Sequence, residues 1–146
     1  ICTPMTAISS TFSKTAKHCP LPMALCHIEA GFPSPADDHM ESLLDLNEHV
    51  IKHPSATYFV RASGYSMTGA GIFNGDLMIV DRSLEPAHGK VVIAEVDGQL
   101  TVKRLSKLRG RFELHSENPN YPPIELQEGN EVMIWGVVTH VLHSLL

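Results

Sequence analysis

Two side chains in this sequence have the types needed for nucleophilic chemistry on a peptide bond. They are Ser66, in Gly64-Tyr65-Ser66-Met67, and Lys103, in Leu100-Thr101-Val102-Lys103-Arg104-Leu105. A serine hydroxyl is a poor nucleophile until a base takes its proton, and a lysine amine serves as that base once it is neutral. At an ordinary pKa of ~10.4, only about one lysine in 2,500 is neutral at pH 7. Bringing that pKa to ~7–8 takes roughly 3–5 kcal/mol of differential desolvation, which burial among apolar groups can supply. Upstream, Ala30-Gly31 offers a bond between two small residues inside a stretch that reads as linker. Each feature alone is ordinary: a loop serine, a solvated strand lysine, an Ala-Gly pair. In combination they are the parts of a chain that hydrolyses itself.

Such chemistry constrains the elements that carry it. Ser66 needs a tight turn that exposes its hydroxyl and points backbone N–H groups at the scissile carbonyl. Gly64 before it and Gly69-Ala70-Gly71 after it give the backbone that freedom, and the expected oxyanion donors are the N–H groups of Tyr65 and Ser66. Lys103 needs an inward strand position. Alternation places it on one face with Thr101 and Leu105, and Arg104 on the other. The strand expected over 99–105 follows Asp97-Gly98, whose residue types suit the positive φ values of a type I′ hairpin with a strand over 90–96. Further strands are expected over 57–62, over 76–81 after Asn74-Gly75, over 111–115, and over 131–142 around Trp135, which is expected in the core rather than at a dimer surface. The fold class is therefore mainly β: a compact, strongly bent antiparallel β domain with an N-terminal arm and one short helix.

Residues 1 to about 35 are rich in Ser, Thr, Pro and Ala without a helical or strand period, and read as an arm. A helical signal runs over 34–53. Ser34-Pro35 can open a turn, Asp45-Leu46-Asn47-Glu48 has the form of a capping box, and Leu46, Val50 and Ile51 follow at helical spacing. Pro54 ends it. The chain accordingly divides into a removable arm (1–30), a linker with a short helix (31–54) and a β peptidase domain (55–146).

Composition excludes several function classes. With 11 Lys and Arg against 16 Asp and Glu, the formal charge of −5 argues against direct binding to DNA phosphates. No run of about 18 apolar residues is present, so no transmembrane helix is expected. Cys2, Cys19 and Cys26 match no zinc or redox spacing and read as reduced thiols of a cytoplasmic protein. Lys14, Lys17 and the stretch 21–30 imitate an export signal, but Pro20 and Pro22 interrupt it and Ile28 is too bulky for a cleavage position. Met23-Ala24-Leu25-Cys26 likewise imitates a lipoprotein box with too large a residue at Leu25. Ile1 points to trimming or an unusual start codon. Of the nine histidines, His49 and His53 stand four apart on the expected helix, without a further ligand at matching spacing. His140 and His143 read as strand and tail. No metal or cofactor is expected.

From about Ala30 to the C-terminus the sequence resembles the UmuD/MucA mutagenesis proteins, which belong to the LexA-like self-cleaving serine peptidases. The resemblance is carried by Ala30-Gly31-Phe32-Pro33-Ser34-Pro35, by 53–60, by Ala62-Ser63-Gly64-Tyr65-Ser66-Met67, by 74–81, by 96–105 and by Trp135-Gly136-Val137-Val138-Thr139-His140-Val141. It is weak before Leu25, and Tyr65 departs from relatives that carry a small or acidic residue there. It implies the LexA/signal-peptidase fold, Ser66 as nucleophile, Lys103 as general base and Ala30-Gly31 as the bond cut. It further implies a bacterial protein of the SOS response whose self-cleavage is stimulated by a RecA filament on single-stranded DNA. The shortened homodimer would then be the accessory subunit of an error-prone translesion polymerase of the UmuC type, without sequence-specific DNA binding or membrane attachment of its own.

Three alternatives compete. A LexA-like repressor requires a helix-turn-helix domain ahead of the cut, whereas the 30 residues there lack helical period and basic charge. A signal-peptidase-like enzyme acting on other proteins requires a membrane anchor. A non-catalytic binding module would keep Ser66 and Lys103 as relics, and incubation of the pure protein separates it from a chain that cuts itself.

Overall fold

The computed structural model describes residues 18–24, 27–32, 41–126 and 129–146. The expectations that fall on 1–17, on Leu25 and Cys26, and on Ser34-Pro35 lie outside these residues. The chain divides into two units, Ile1–His49 and Val50–Leu146.

In the first unit, strand β1 (Pro20–Ala24) pairs antiparallel with β2 (Glu41–Asp45), from Pro20 opposite Asp45 to Ala24 opposite Glu41. Helix α1 (Leu46–Val50) follows directly. This corrects two expectations: the arm contains a strand, and the helical signal of 34–53 yields a strand over 41–45 and a single short helix. A helix of so few residues has little stability of its own, so the segment ahead of it takes the pairing that β1 offers. Pro20 and Pro22 have the same parity, so both imide nitrogens can face away from β2, which lets prolines sit in an edge strand. The N-cap expectation holds at its first half, because Asp45 Oδ1 accepts the Asn47 N–H at 3.0 Å. Every β1 residue is exposed, so main-chain pairing rather than a core holds this ribbon together.

The second unit is a seven-stranded antiparallel sheet in the order β3-β4-β9-β5-β6-β7-β8. The strands are β3 (Thr57–Arg61), β4 (Leu77–Asp81), β5 (Val91–Val96), β6 (Gln99–Leu108), β7 (Arg111–His115), β8 (Ile124–Glu125) and β9 (Val132–Leu142). Asp97 and Gly98 both take positive φ, 49° and 82°, and close the β5–β6 hairpin with Val96 opposite Gln99. Arg109 and Gly110 repeat the device at 51° and 77°, which extends β6 to Leu108, beyond its expected end. An arginine is a poor sequence signal for a left-handed position, hence the missed turn.

β9 is an interior strand, paired with β4 on one side and β5 on the other. Its register shifts opposite Ile93/Ala94 and again opposite Ile79/Val80, so Trp135 and Thr139 are inserted as bulges that bend it. The core is built from Met67, Ile72, Met78, Val80 and Ile93, with a second group of Val92, Ala94, Leu105, Leu114 and Val137. Trp135 packs half-buried against the first group and donates its Nε1–H to Glu95 Oε2 at 2.8 Å. The mainly β, antiparallel class read from the sequence is the class observed.

Candidate active site

Ser66 lies in the loop between β3 and β4. The base of that loop is tied by Ala62 N–H to Asp76 O at 2.8 Å and Gly75 N–H to Ala62 O at 2.9 Å. Gly64 takes φ 94°, and its N–H is held by Asn74 Oδ1 at 2.8 Å. On the other side of Ser66, Met67 is buried in the core and accepts the Ala70 N–H at the start of a 3-10 turn, Thr68–Ala70. The loop is thus pinned at both ends, and Ser66 sits half-buried between exposed Tyr65 and buried Met67.

Lys103 reaches this loop from β6. Its Nζ lies 3.0 Å from Ser66 Oγ and 3.2 Å from the Val102 carbonyl oxygen. Only 8% of the residue is exposed, and its register partner on β5, Val92, is fully buried. None of the ion pairs among the described residues involves Lys103. Burial pushes its pKa below the usual lysine value, because a desolvated ammonium without a counter-charge is disfavoured. A neutral amine at this distance can take the serine proton. The N–H groups of Tyr65 and Ser66 have no acceptor among the described residues.

Sequence reasoning missed the groups that hold this loop from outside. Arg104, next to Lys103, donates from Nε to Glu117 Oε1 and from Nη1 to Gly89 O. The Glu117 carbonyl accepts the Gly69 N–H at 2.7 Å, and Asn118 donates from Nδ2 to the Tyr65 carbonyl at 2.8 Å. A Glu-Asn pair in a proline-rich loop gives no local sign of such partners.

Ala30 and Gly31 belong to the other unit, exposed in a bend at 30–32. A side chain at Gly31 would meet nothing within 4 Å there. Any need for glycine at this position therefore arises elsewhere than in the bend itself.

Four of the eight described histidines pair with carboxylates. Because α1 ends at Val50, His49 and His53 do not share a helix face, and His53 Nδ1 instead meets buried Asp81 at 2.6 Å. His143, read as a tail residue, meets buried Asp76 at 2.5 Å, whereas His140 is exposed on β9. His18, Asp45 and Glu48 bring their ligand atoms within 4.8 Å of one another, a set that could hold a cation. Asp45 is already occupied by the Cys19 and Asn47 N–H groups and by His18, so the cluster works as a polar clasp on the β1–β2 ribbon. Cys19 is a free, exposed thiol. A groove of about 800 Å³ runs past Leu105, Phe112, Leu126 and Ile134, and neither Ser66 nor Lys103 lines it. No helix among the described residues is long and apolar enough to cross a membrane.

The antiparallel sheet thus presents a loop serine to a buried strand lysine. Residues 22–139 match the Peptidase S24-like family, and the chain belongs to that family of self-cleaving serine peptidases. It is similar to ImpA of Salmonella typhimurium, 49% identical over 123 residues that cover 84% of this chain and 83% of that protein. MucA of Escherichia coli is 48% identical over 123 residues, 84% of each chain. The LexA repressor of Proteus mirabilis (strain HI4320) is 38% identical over 97 residues, which cover 66% of this chain and 47% of the repressor. The UmuD/MucA likeness read from the sequence is the one found.

Proposed function

We propose that the chain is a self-cleaving SOS mutagenesis protein that cuts its own Ala30-Gly31 bond with a Ser66–Lys103 dyad. The observation that carries the reading is Lys103 Nζ at 3.0 Å from Ser66 Oγ, buried and without a carboxylate partner among the described residues. Neutral Lys103 removes the Ser66 proton, and Oγ attacks the Ala30 carbonyl carbon. The Tyr65 and Ser66 N–H groups stabilise the resulting oxyanion. Collapse breaks the C–N bond as the Lys103 ammonium protonates the Gly31 nitrogen, leaving Ala30 esterified to Ser66. Water, deprotonated by Lys103, then hydrolyses the ester and returns Ser66 with its proton. The products are a fragment ending in the Ala30 carboxylate and a chain beginning with the Gly31 amine.

On this reading residues 1–30 are removed, 31–54 remain as linker, and 55–146 carry the chemistry. A RecA filament on single-stranded DNA stimulates the cut by favouring the state in which the 30–31 bond occupies the cleft. The processed homodimer then serves an error-prone polymerase of the UmuC type in the bacterial cytoplasm. Family membership and the MucA and ImpA likeness support this assignment. The formal charge of −5 supports a contact with DNA that is made through partners.

Incubation of the pure protein, with and without filament, followed by mass spectrometry tests the reading. A product beginning at Gly31, lost in Ser66→Ala, Lys103→Ala and Gly31→Glu, supports it. A different N-terminus, or cutting by the Ser66→Ala chain, overturns it.

A further inference from the structure

Ser66 needs more than a base: its own N–H must point at the oxyanion, and the local backbone does not guarantee that. Gly64 at φ 94° is a soft joint, and the Tyr65 side chain, 60% exposed, does little to anchor the peptide that follows it. The Gly64 N–H and the buried Met67 fix the ends of the segment, leaving the Tyr65–Ser66 peptide plane between them to be set by something else.

We infer that Asn118 is a positioning residue that sets this plane and so aims the Ser66 N–H; the inference rests on the role of Ser66 proposed above. Asn118 Nδ2 donates to the Tyr65 carbonyl at 2.8 Å, and Asn118 Oδ1 accepts the Asn120 N–H at 3.0 Å. The two partners together fix which end of the amide is which, because a carbonyl requires the NH₂ and an N–H requires the oxygen. In a trans peptide the C=O and the following N–H lie in one plane and point in opposite directions. Holding the Tyr65 oxygen therefore directs the Ser66 N–H away from Asn118. Rotation of the same plane by half a turn would put a carbonyl oxygen where the oxyanion needs a donor.

Asn118 is itself held on a rigid mount. The preceding carbonyl, of Glu117, accepts the Gly69 N–H at 2.7 Å, and the Asn118 carbonyl accepts the Tyr121 N–H at 3.0 Å. The Glu117 carboxylate is bound by Arg104, the neighbour of Lys103 on β6. The base and the support of the clamp on the oxyanion donor are thus adjacent residues of one strand, Lys103 and Arg104.

The test measures self-cleavage against pH for wild type, Asn118→Ala and Asn118→Ser. Serine can keep the turn to the Asn120 N–H but is too short to reach Tyr65, so it guards against a folding artefact. Loss of one oxyanion donor lowers a rate by about 10²–10³. The expected result is a plateau lowered by that factor in both variants, with an unchanged pH midpoint and near wild-type melting. A plateau within about threefold of wild type overturns the inference, as does a midpoint displaced by a pH unit, which would mean that Asn118 acts through Lys103. If wild type itself stays uncut at every pH and with filament, the proposed function fails, an outcome distinct from failure confined to the variants.

Discussion

Lys103 and Arg104 are neighbours on β6 whose side chains serve different partners: Lys103 ends 3.0 Å from Ser66 Oγ, and Arg104 binds Glu117 and the Gly89 carbonyl. Strand alternation makes this division possible, since consecutive side chains leave a strand on opposite faces. Lys103 is buried and has no carboxylate partner among the described residues, whereas Arg104 is partly exposed and has one. Lys103 is held in conditions that favour loss of its proton.

The first prediction concerns rate and pH. With Lys103 lowered by burial but required neutral, uncatalysed self-cleavage rises about tenfold per pH unit until its pKa is passed, then levels. Lys103→Ala and Lys103→Arg are inactive, the second because a guanidinium does not deprotonate in this range. A rate that stays flat between pH 7 and 10, or an active Lys103→Arg chain, removes lysine as the base.

Burial of Lys103 also predicts a stability effect of definite sign. A lysine whose pKa is lower folded than unfolded binds fewer protons in the folded state, so stability rises with pH from the folded pKa up to ~10.4. Lys103→Met therefore melts higher than wild type at pH 7, at about 4–8 °C per kcal/mol for a domain of roughly 100 residues. The gap narrows above pH ~10, where both states of the wild type carry neutral lysine. Thermal melts of the two chains at pH 7 and 10.5 measure it, and an equal gap at both values contradicts it.

Gly69 is needed for space. A Cβ there would lie 2.6 Å from the Glu117 carbonyl oxygen, the acceptor of the Gly69 N–H, and that backbone atom cannot swing aside. Gly69→Ala is expected to lose about 1–3 kcal/mol of stability and to cleave more slowly, because the loops of Ser66 and Asn118 must separate. Urea titration and a cleavage assay on the same preparation check both halves.

Acid exposes a second set of contacts. Burial acts to raise the pKa of Asp76, but the bonds from His143 and from the Phe73 N–H outweigh it and leave the carboxyl below its usual range. At Asp81 burial is likewise outweighed, by Ser83 and His53. A lowered carboxylate pKa contributes stability that is present above the unfolded value of ~3.9 and is lost as pH falls through the folded one. Asp76→Asn and Asp81→Asn are expected to be less stable at pH 7 and to show a flatter decline below pH 4 by urea midpoints.

The strands around the site were legible because their signals are local. Asp97-Gly98 announces its hairpin by residue type, and alternation alone places Lys103 opposite in facing to Arg104. Asn118 was not legible, since its bond joins residues 53 apart through a backbone carbonyl that any residue would present. β1 was hidden by Pro20 and Pro22, which argue against a strand unless it has only one neighbour. The segment 41–45 was hidden by its helix-like leucines, whose conformation is decided by a partner strand rather than by their own spacing.

That partner strand changes what a cut at Ala30-Gly31 would accomplish. β1 precedes the bond and β2 follows it, with five residue pairs and the His18–Asp45 contact between them. While the chain is whole, the connection keeps the strands at a local concentration on the order of millimolar. Hydrolysis there would leave every one of these contacts in place and remove only the tether. A two-stranded ribbon is by itself marginal in water, so the severed piece would depart by dilution rather than by the chemistry itself. Bond breakage and departure of the piece would then be separate events with separate clocks. A denaturing gel reads the first, and a native separation reads the second.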